Sequence, residues 1–132
     1  MIFIDTSALL ARYRERDQYH REASRLWRTV KPPVATSNHV VDELATALGR
    51  LAGFRFAADC VADLFDSPTM NILASTREDE IEALRWMRKY ADQRISFTDC
   101  VSFALMRRHR IRAAFTFDRH FKLAGFEVIG LK

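Results

Sequence analysis

Met1-Ile2-Phe3-Ile4-Asp5 is the stretch on which the fold class turns. Four apolar residues in a row, ending abruptly on a carboxylate, read as a short strand covered on both faces, the kind found inside a parallel sheet. Working outward, Thr6 and Ser7 are candidate caps for a short helix over 8–13. Asp17 opens a second helix that runs through Trp27 to about residue 30 and is stopped by Pro32-Pro33. Val34-Ala35-Thr36 is a brief second strand. Ser37 and Asn38 are cap candidates for a helix over 40–51, with Val41, Leu44, Leu48 and Leu51 on one stripe. A further amphipathic helix covers 54–65 and closes at Ser67-Pro68, before a third strand at 70–74. Thr76 with Asp79 has the spacing of a capping box, and the helix over 78–90 carries acids early and cations late, as its dipole prefers. Ser96 caps a helix from 97 to about 108. Strands at 113–117 and 126–129 complete the chain. Strands and helices alternate throughout, which predicts an α/β fold: a three-layer α/β/α sandwich with a mainly parallel central sheet, as a single domain over residues 1–132.

Composition bounds the function. With 132 residues, 48% hydrophobic and 29% charged, the chain is neither disordered, collagenous nor a disulfide scaffold. No apolar run approaches the ~20 residues needed to span a bilayer, and the N-terminus lacks the basic lead and long apolar region of a signal peptide. Cys60 and Cys100 have apolar neighbours in helix-like stretches, so they read as buried thiols of a cytoplasmic protein. Lys and Arg total 21 against 17 acids, and arginine supplies 17 of the cations. Arg pairs bidentately with phosphate, so this excess suits a polyanionic partner without demanding one.

Four carboxylates do not behave like surface. Asp5 ends the first strand and Asp118 follows the fourth. In open α/β sheets the ligand crevice lies outside the carboxyl ends of the strands, where both would sit. Asp99 stands alone in the first turn of a helix that is apolar nearly all round. The fourth is Glu43 or its neighbour Asp42; both fall off the apolar stripe, and periodicity does not choose between them. A single acid after a strand or in a first helical turn is ordinarily a cap or a dipole partner. Four at one sheet edge repel unless something neutralises them, and Mg²⁺ or Mn²⁺, hard cations held by oxygen ligands, is the natural answer. His20, His39, His109 and His120 show no paired zinc spacing. There is no GxxxxGK[ST] or GxGxxG loop and no G-x-S-x-G elbow at Ser7.

Ile4-Asp5-Thr6-Ser7-Ala8-Leu9, Val40-Val41-Asp42-Glu43-Leu44, Phe97-Thr98-Asp99-Cys100-Val101-Ser102-Phe103-Ala104 and Thr116-Phe117-Asp118-Arg119-His120-Phe121 resemble, in order, the four acidic blocks of the PIN domain. In particular they look like those of the VapC-type ribonuclease toxins, and the resemblance covers essentially the whole chain. It implies that Asp5, Glu43, Asp99 and Asp118 form an acidic quartet holding Mg²⁺ or Mn²⁺, with Thr6 as the family's hydroxyl beside the first Asp. It selects Glu43 over Asp42, because the family's Glu precedes an apolar residue, here Leu44. It implies a metal-dependent endoribonuclease acting on single-stranded or looped RNA, a cognate antitoxin protein and a homodimer. The antitoxin would dock on the helices at 8–13, 40–51 and 54–65, where Leu10, Tyr13, Leu51 and Phe56 look exposed, and could place an Arg or Lys among the four acids; the alternative is that these residues complete the core or a homodimer.

Rival readings explain less. A receiver or haloacid-dehalogenase-like domain also places an Asp after strand one, but the dehalogenase pattern wants a second acid where Ser7 stands, and neither accounts for Glu43 and Asp99 together. A non-catalytic binding module would tolerate a lost acid, and none is lost. A PIN-type RNA-processing or decay nuclease without an antitoxin shares the chemistry and is the nearest alternative.

Overall fold

The computed structural model describes residues 1–131. Five strands, β1 (Ile2–Ile4), β2 (Val34–Ser37), β3 (Met70–Leu73), β4 (Ala113–Thr116) and β5 (Glu127–Gly130), form one sheet in the order β3-β2-β1-β4-β5. Every pairing is parallel, with Ile4 opposite Phe115 and Thr116 opposite Gly130. The helices are α1 (Thr6–Tyr13), α2 (His20–Trp27), α3 (Asn38–Ala52), α4 (Phe54–Asp66), α5 (Arg77–Lys89), α6 (Phe97–Arg108) and α7 (His120–Leu123). From β1 the chain steps outward through β2 to β3, then returns to the other side of β1 for β4 and β5. Right-handed crossovers in that order place α1–α4 on one face of the sheet and α5–α7 on the other. The reversal falls between β1 and β4, so the carboxyl ends of those two strands border the crevice where α/β sheets bind ligands.

The central strands β1, β2 and β4 carry the buried part of the sheet, and β3 and β5 at its edges are partly exposed. Phe3, Ile4, Ala35, Ala114 and Phe115 are fully buried. Helix α6 is buried along Asp99–Met106, which accounts for its nearly uniform apolar character. Phe103 on α6 meets Phe121 edge-on at 5.0 Å between ring centroids, and Phe121 lies against Phe3 of β1. Asp79, buried on α5, closes the capping box with Thr76 and takes a bidentate bond from Arg108 at 2.9 Å, clasping α5 to the end of α6. Gly130 has φ +115, and a Cβ there would lie 2.5 Å from the Thr116 carbonyl oxygen, so β5 can sit beside the end of β4 only with glycine at this position.

Some local expectations are corrected. Thr6 and Ser7 do not cap α1; Asp5 occupies the N-cap position with extended backbone, and its carboxylate is turned elsewhere. Residues 17–19 form turns instead of helix, because Asp17 uses its side chain to take the Tyr19 N–H and its carbonyl to take the His20 N–H. Ser37, not Asn38, caps α3. Leu10 and Tyr13 are half-buried and packed against the core, whereas Leu51 and Phe56 are exposed along with Phe54 and Phe65. Cys60 and Cys100 are buried free thiols. Among the described residues, no helix is long and apolar enough to cross a membrane.

Candidate active site

Asp5 lies immediately after β1, 2% exposed. Its Oδ2 accepts two hydroxyl hydrogens, from Thr116 at 2.7 Å and from Ser7 at 2.9 Å. Each hydroxyl is itself fixed by a backbone N–H: Phe117 donates to Ser7 Oγ and Asp118 donates to Thr116 Oγ1, both at 2.9 Å. This ring stitches the end of β1 to the end of β4 and commits one Asp5 oxygen entirely. The other oxygen, Oδ1, is buried and has no hydrogen-bond partner. Burial pushes the Asp5 carboxyl up to about 6, against the two hydroxyl bonds, which pull it down.

Asp99 enters from the opposite side, in the first turn of α6, where Ser96 Oγ accepts its backbone N–H at 3.1 Å. It is 5% exposed. Burial, followed by repulsion from Asp5, Asp118 and Glu43, pushes its carboxyl up to about 9. Asp118, after β4, accepts the His120 N–H at 2.9 Å on its Oδ1, a turn that leads into α7. The His120 ring then turns back, with Nδ1 3.2 Å from Asp118 Oδ1 and 3.5 Å from Asp99 Oδ2. That nitrogen is buried and makes no hydrogen bond. Asp99, Asp118 and His120 each offer a ligand atom, and these atoms lie within 4.8 Å of one another.

The structure thus brings Asp5, Asp99 and Asp118 together, with Glu43 near enough for its charge to act on Asp99. Of the two acids that periodicity left undecided, Glu43 is half-buried and faces the cluster, while Asp42 is exposed. Thr6 is buried beside Asp5, and its Oγ1 has no hydrogen-bond partner; the hydroxyls that hold Asp5 belong to Ser7 and Thr116. His120 is the residue that the sequence argument passes over. Zinc spacing excludes it, but its place two residues after Asp118, at the start of a helix, is the signal that puts its ring in the cluster.

The charge balance says what the cluster lacks. Among the described residues, no Lys or Arg pairs with Asp5, Glu43, Asp99 or Asp118. Burying carboxylates without a counter-charge costs several kcal/mol per ion, on the order given by desolvation. A divalent cation with oxygen ligands fits this donor set: a buried unpaired Asp5 oxygen, two further aspartates close together and a nearby glutamate. Beside the acids a cleft of ≈ 530 Å³ opens between the 14–19 turns and the β4–α7 connection, bordered by Ser7, Asp118 and His120.

Comparison with known proteins identifies the family. The PIN domain family model matches residues 2–127. The chain is 40% identical over 126 residues to VapC20 of Mycobacterium tuberculosis, a 23S rRNA-specific endonuclease, covering 96% of this chain and 95% of that one. The crystal structure of VapC20, described as a sarcin-ricin loop cleaving toxin, superposes with a TM-score of 0.90 at 37% identity over 96% of both chains. A toxin–antitoxin complex from Klebsiella pneumoniae shares the fold at a TM-score of 0.71 and 16% identity, over 98% of this chain and 96% of that one. With the family model spanning nearly the whole sequence and the acids meeting at the switch point of its sheet, the chain belongs to the PIN domain family.

Proposed function

We propose that the chain is a divalent-cation-dependent endoribonuclease, the toxin of a toxin–antitoxin pair, whose target is a loop of 23S rRNA. One observation carries the chemistry: buried carboxylates with no Lys or Arg partner, one of them with an unpaired oxygen, at the ligand crevice of the sheet. The target class rests on the likeness to VapC20 along almost the entire chain.

Asp5 and Asp99 are assigned as ligands of the cation, Asp118 as completing that site or serving a second ion, and Glu43 as holding a ligand water or taking the proton of the attacking water. When bound, Mg²⁺ or Mn²⁺ supplies an acidified water and a counter-charge for the phosphoryl oxygens. Ser7 and Thr116 hold Asp5 Oδ2, which leaves Oδ1 as the oxygen without a protein partner. Thr6, with its buried unpaired hydroxyl, is assigned as a polar contact to ligand water or phosphate. His120 stands beside both Asp99 and Asp118, within reach of the same cation.

The antitoxin is assigned to the groove of ≈ 630 Å³ between the ends of α1 and α3 and the start of α4, where Tyr13, Leu51 and Phe56 offer apolar contacts and Arg12, Arg14 and Arg16 form a basic rim. An amphipathic segment with acidic flanks suits such a groove. A homodimer, which the family resemblance implies, is part of the same reading.

The test is incubation of the purified chain with a synthetic sarcin-ricin-loop hairpin, with Mg²⁺, with Mn²⁺ and with EDTA. Cleavage at a single position, lost in EDTA and in Asp99→Asn, is the expected result. A folded, metal-supplied chain that leaves the hairpin and total rRNA intact overturns the assignment. If it cleaves RNA but the product of the neighbouring upstream reading frame neither binds nor inhibits it, the processing-nuclease alternative replaces the toxin.

A further inference from the structure

The cleft beside the acids has a wall that the hydrolytic chemistry does not use. Tyr19 lies flat on Phe117, with ring centroids 4.6 Å apart and planes 3° from parallel. Phe117 is buried and adjoins Asp118, and its backbone N–H holds the Ser7 hydroxyl that fixes Asp5. The platform is therefore built into the same connection as the acids. Tyr19 is 38% exposed although one ring face is covered, and both rings border the ≈ 530 Å³ cleft that Asp118 and His120 also line.

The turn that carries Tyr19 is held at both ends. Asp17 Oδ1 accepts the Tyr19 N–H at 2.8 Å, the Asp17 N–H bonds the Arg14 carbonyl, and His20 Nδ1 lies 2.7 Å from the Ala11 carbonyl oxygen. An aromatic ring fixed in this way loses little freedom when a second ring stacks on it. Looped RNA is recognised by splaying out unstacked bases onto aromatic side chains while the backbone is held separately. Arg119, exposed on the rim, is placed for the phosphate of such a nucleotide.

We infer that the cleft is a nucleobase subsite, in which one base flanking the scissile phosphate stacks on Tyr19 backed by Phe117. The inference rests on the ribonuclease reading and adds a position at which the enzyme grips its substrate.

The experiment compares wild type, Tyr19→Ala and Tyr19→Phe on the sarcin-ricin-loop hairpin, intact and with an abasic residue on either side of the mapped cleavage point. Stacking on an aromatic is worth roughly 10–100-fold per base. Tyr19→Ala is expected to raise KM by about that factor with kcat within about twofold, and Tyr19→Phe to restore KM, because the contact binds ground state and transition state alike. With the abasic residue at the stacked position, wild type and Tyr19→Ala should have equal KM. Wild-type KM on the intact hairpin matched by Tyr19→Ala overturns the subsite, as does an equal loss on intact and abasic hairpins, which marks a structural role. A loss confined to kcat also overturns it. Failure of wild type to cleave any RNA is a separate outcome: it refutes the nuclease reading, and the subsite with it.

Discussion

Replacing Asp99 by Asn should stabilise the metal-free protein while removing its activity, and the structure sets the size of the effect. The Asp99 carboxyl is pushed up to about 9 by burial and by its acidic neighbours, from an ordinary 3.8. A raised carboxyl contributes stability that is fully present below the unfolded value and is lost as pH rises through the folded one. At pH 7 the unfolded chain ionises this group and the folded chain does not. The interval from 3.8 to 7, at about 1.4 kcal/mol per pH unit, amounts to about 4 kcal/mol of lost stability. Asparagine ionises in neither state and recovers that loss. Its amide hydrogens must be accommodated beside Asp118 and His120, and leaving them unpaired costs about 1–3 kcal/mol. The net expectation at pH 7 is a gain of about 1–3 kcal/mol, which for a chain of this length raises Tm by about 5–10 °C. The assay is thermal unfolding in EDTA from pH 5 to 8.5. Wild-type Tm should fall across the range, while that of Asp99→Asn falls only in the lower part, where Asp5 titrates at about 6. Parallel pH profiles, or a variant less stable than wild type at pH 8, would refute the reasoning.

Other perturbations separate the parts of the account. Glu43→Gln should reduce cleavage about 100-fold or more, within the range for a lost general base, while Asp42→Asn stays within about twofold of wild type in the same hairpin assay. Ser7→Ala removes a hydroxyl bond to a buried carboxylate, so half-maximal cleavage should require about 10-fold more Mg²⁺, with little change at saturating metal. Arg108→Met leaves the buried Asp79 without its charged partner and should cost about 1–3 kcal/mol in urea unfolding at pH 7. Arg108 holds the Asp79 carboxyl below its ordinary 3.8, so that contribution is present above pH ~4 and disappears as pH falls below it. Gly130→Ala forces a Cβ against the Thr116 carbonyl at positive φ and should destabilise by about 1–3 kcal/mol, measured as a lower Tm.

Particular elements show why the sequence was readable where it was. β1 and β4 were legible because each is a short, mainly apolar run leading to an aspartate, and the parallel sheet followed from the alternation of strands with helices. The helix expected to begin at Asp17 begins instead at His20, because one Asp side chain can cap a turn as readily as it caps a helix, and only the fold decides which. Helix α7, four residues long, is too short to show periodicity. In the site, Asp99 stood out because it is the lone carboxylate on α6 and most of the residues that follow it there are apolar. Glu43 could not be told from Asp42 by pattern, since the difference lies in which residue of α3 faces α6. The Ser7–Thr116 clasp on Asp5 joins residues from opposite ends of the chain, and no local signal carries it. Leu10 and Tyr13 looked exposed on their own helix and are half-buried because α1 packs against the rest of the core.

The central claim is that the carboxylate cluster is a divalent-cation centre, and calorimetric titration of Mn²⁺ at pH 7 in two buffers of different ionisation enthalpy tests it most directly. Asp99 is protonated in the free protein at that pH and must ionise to serve as a ligand, so binding should release about one proton per ion. In Asp99→Asn, binding should be much weaker and proton release lost. Mn²⁺ binding of equal strength in both proteins, or no binding to wild type at millimolar Mn²⁺, would contradict the account.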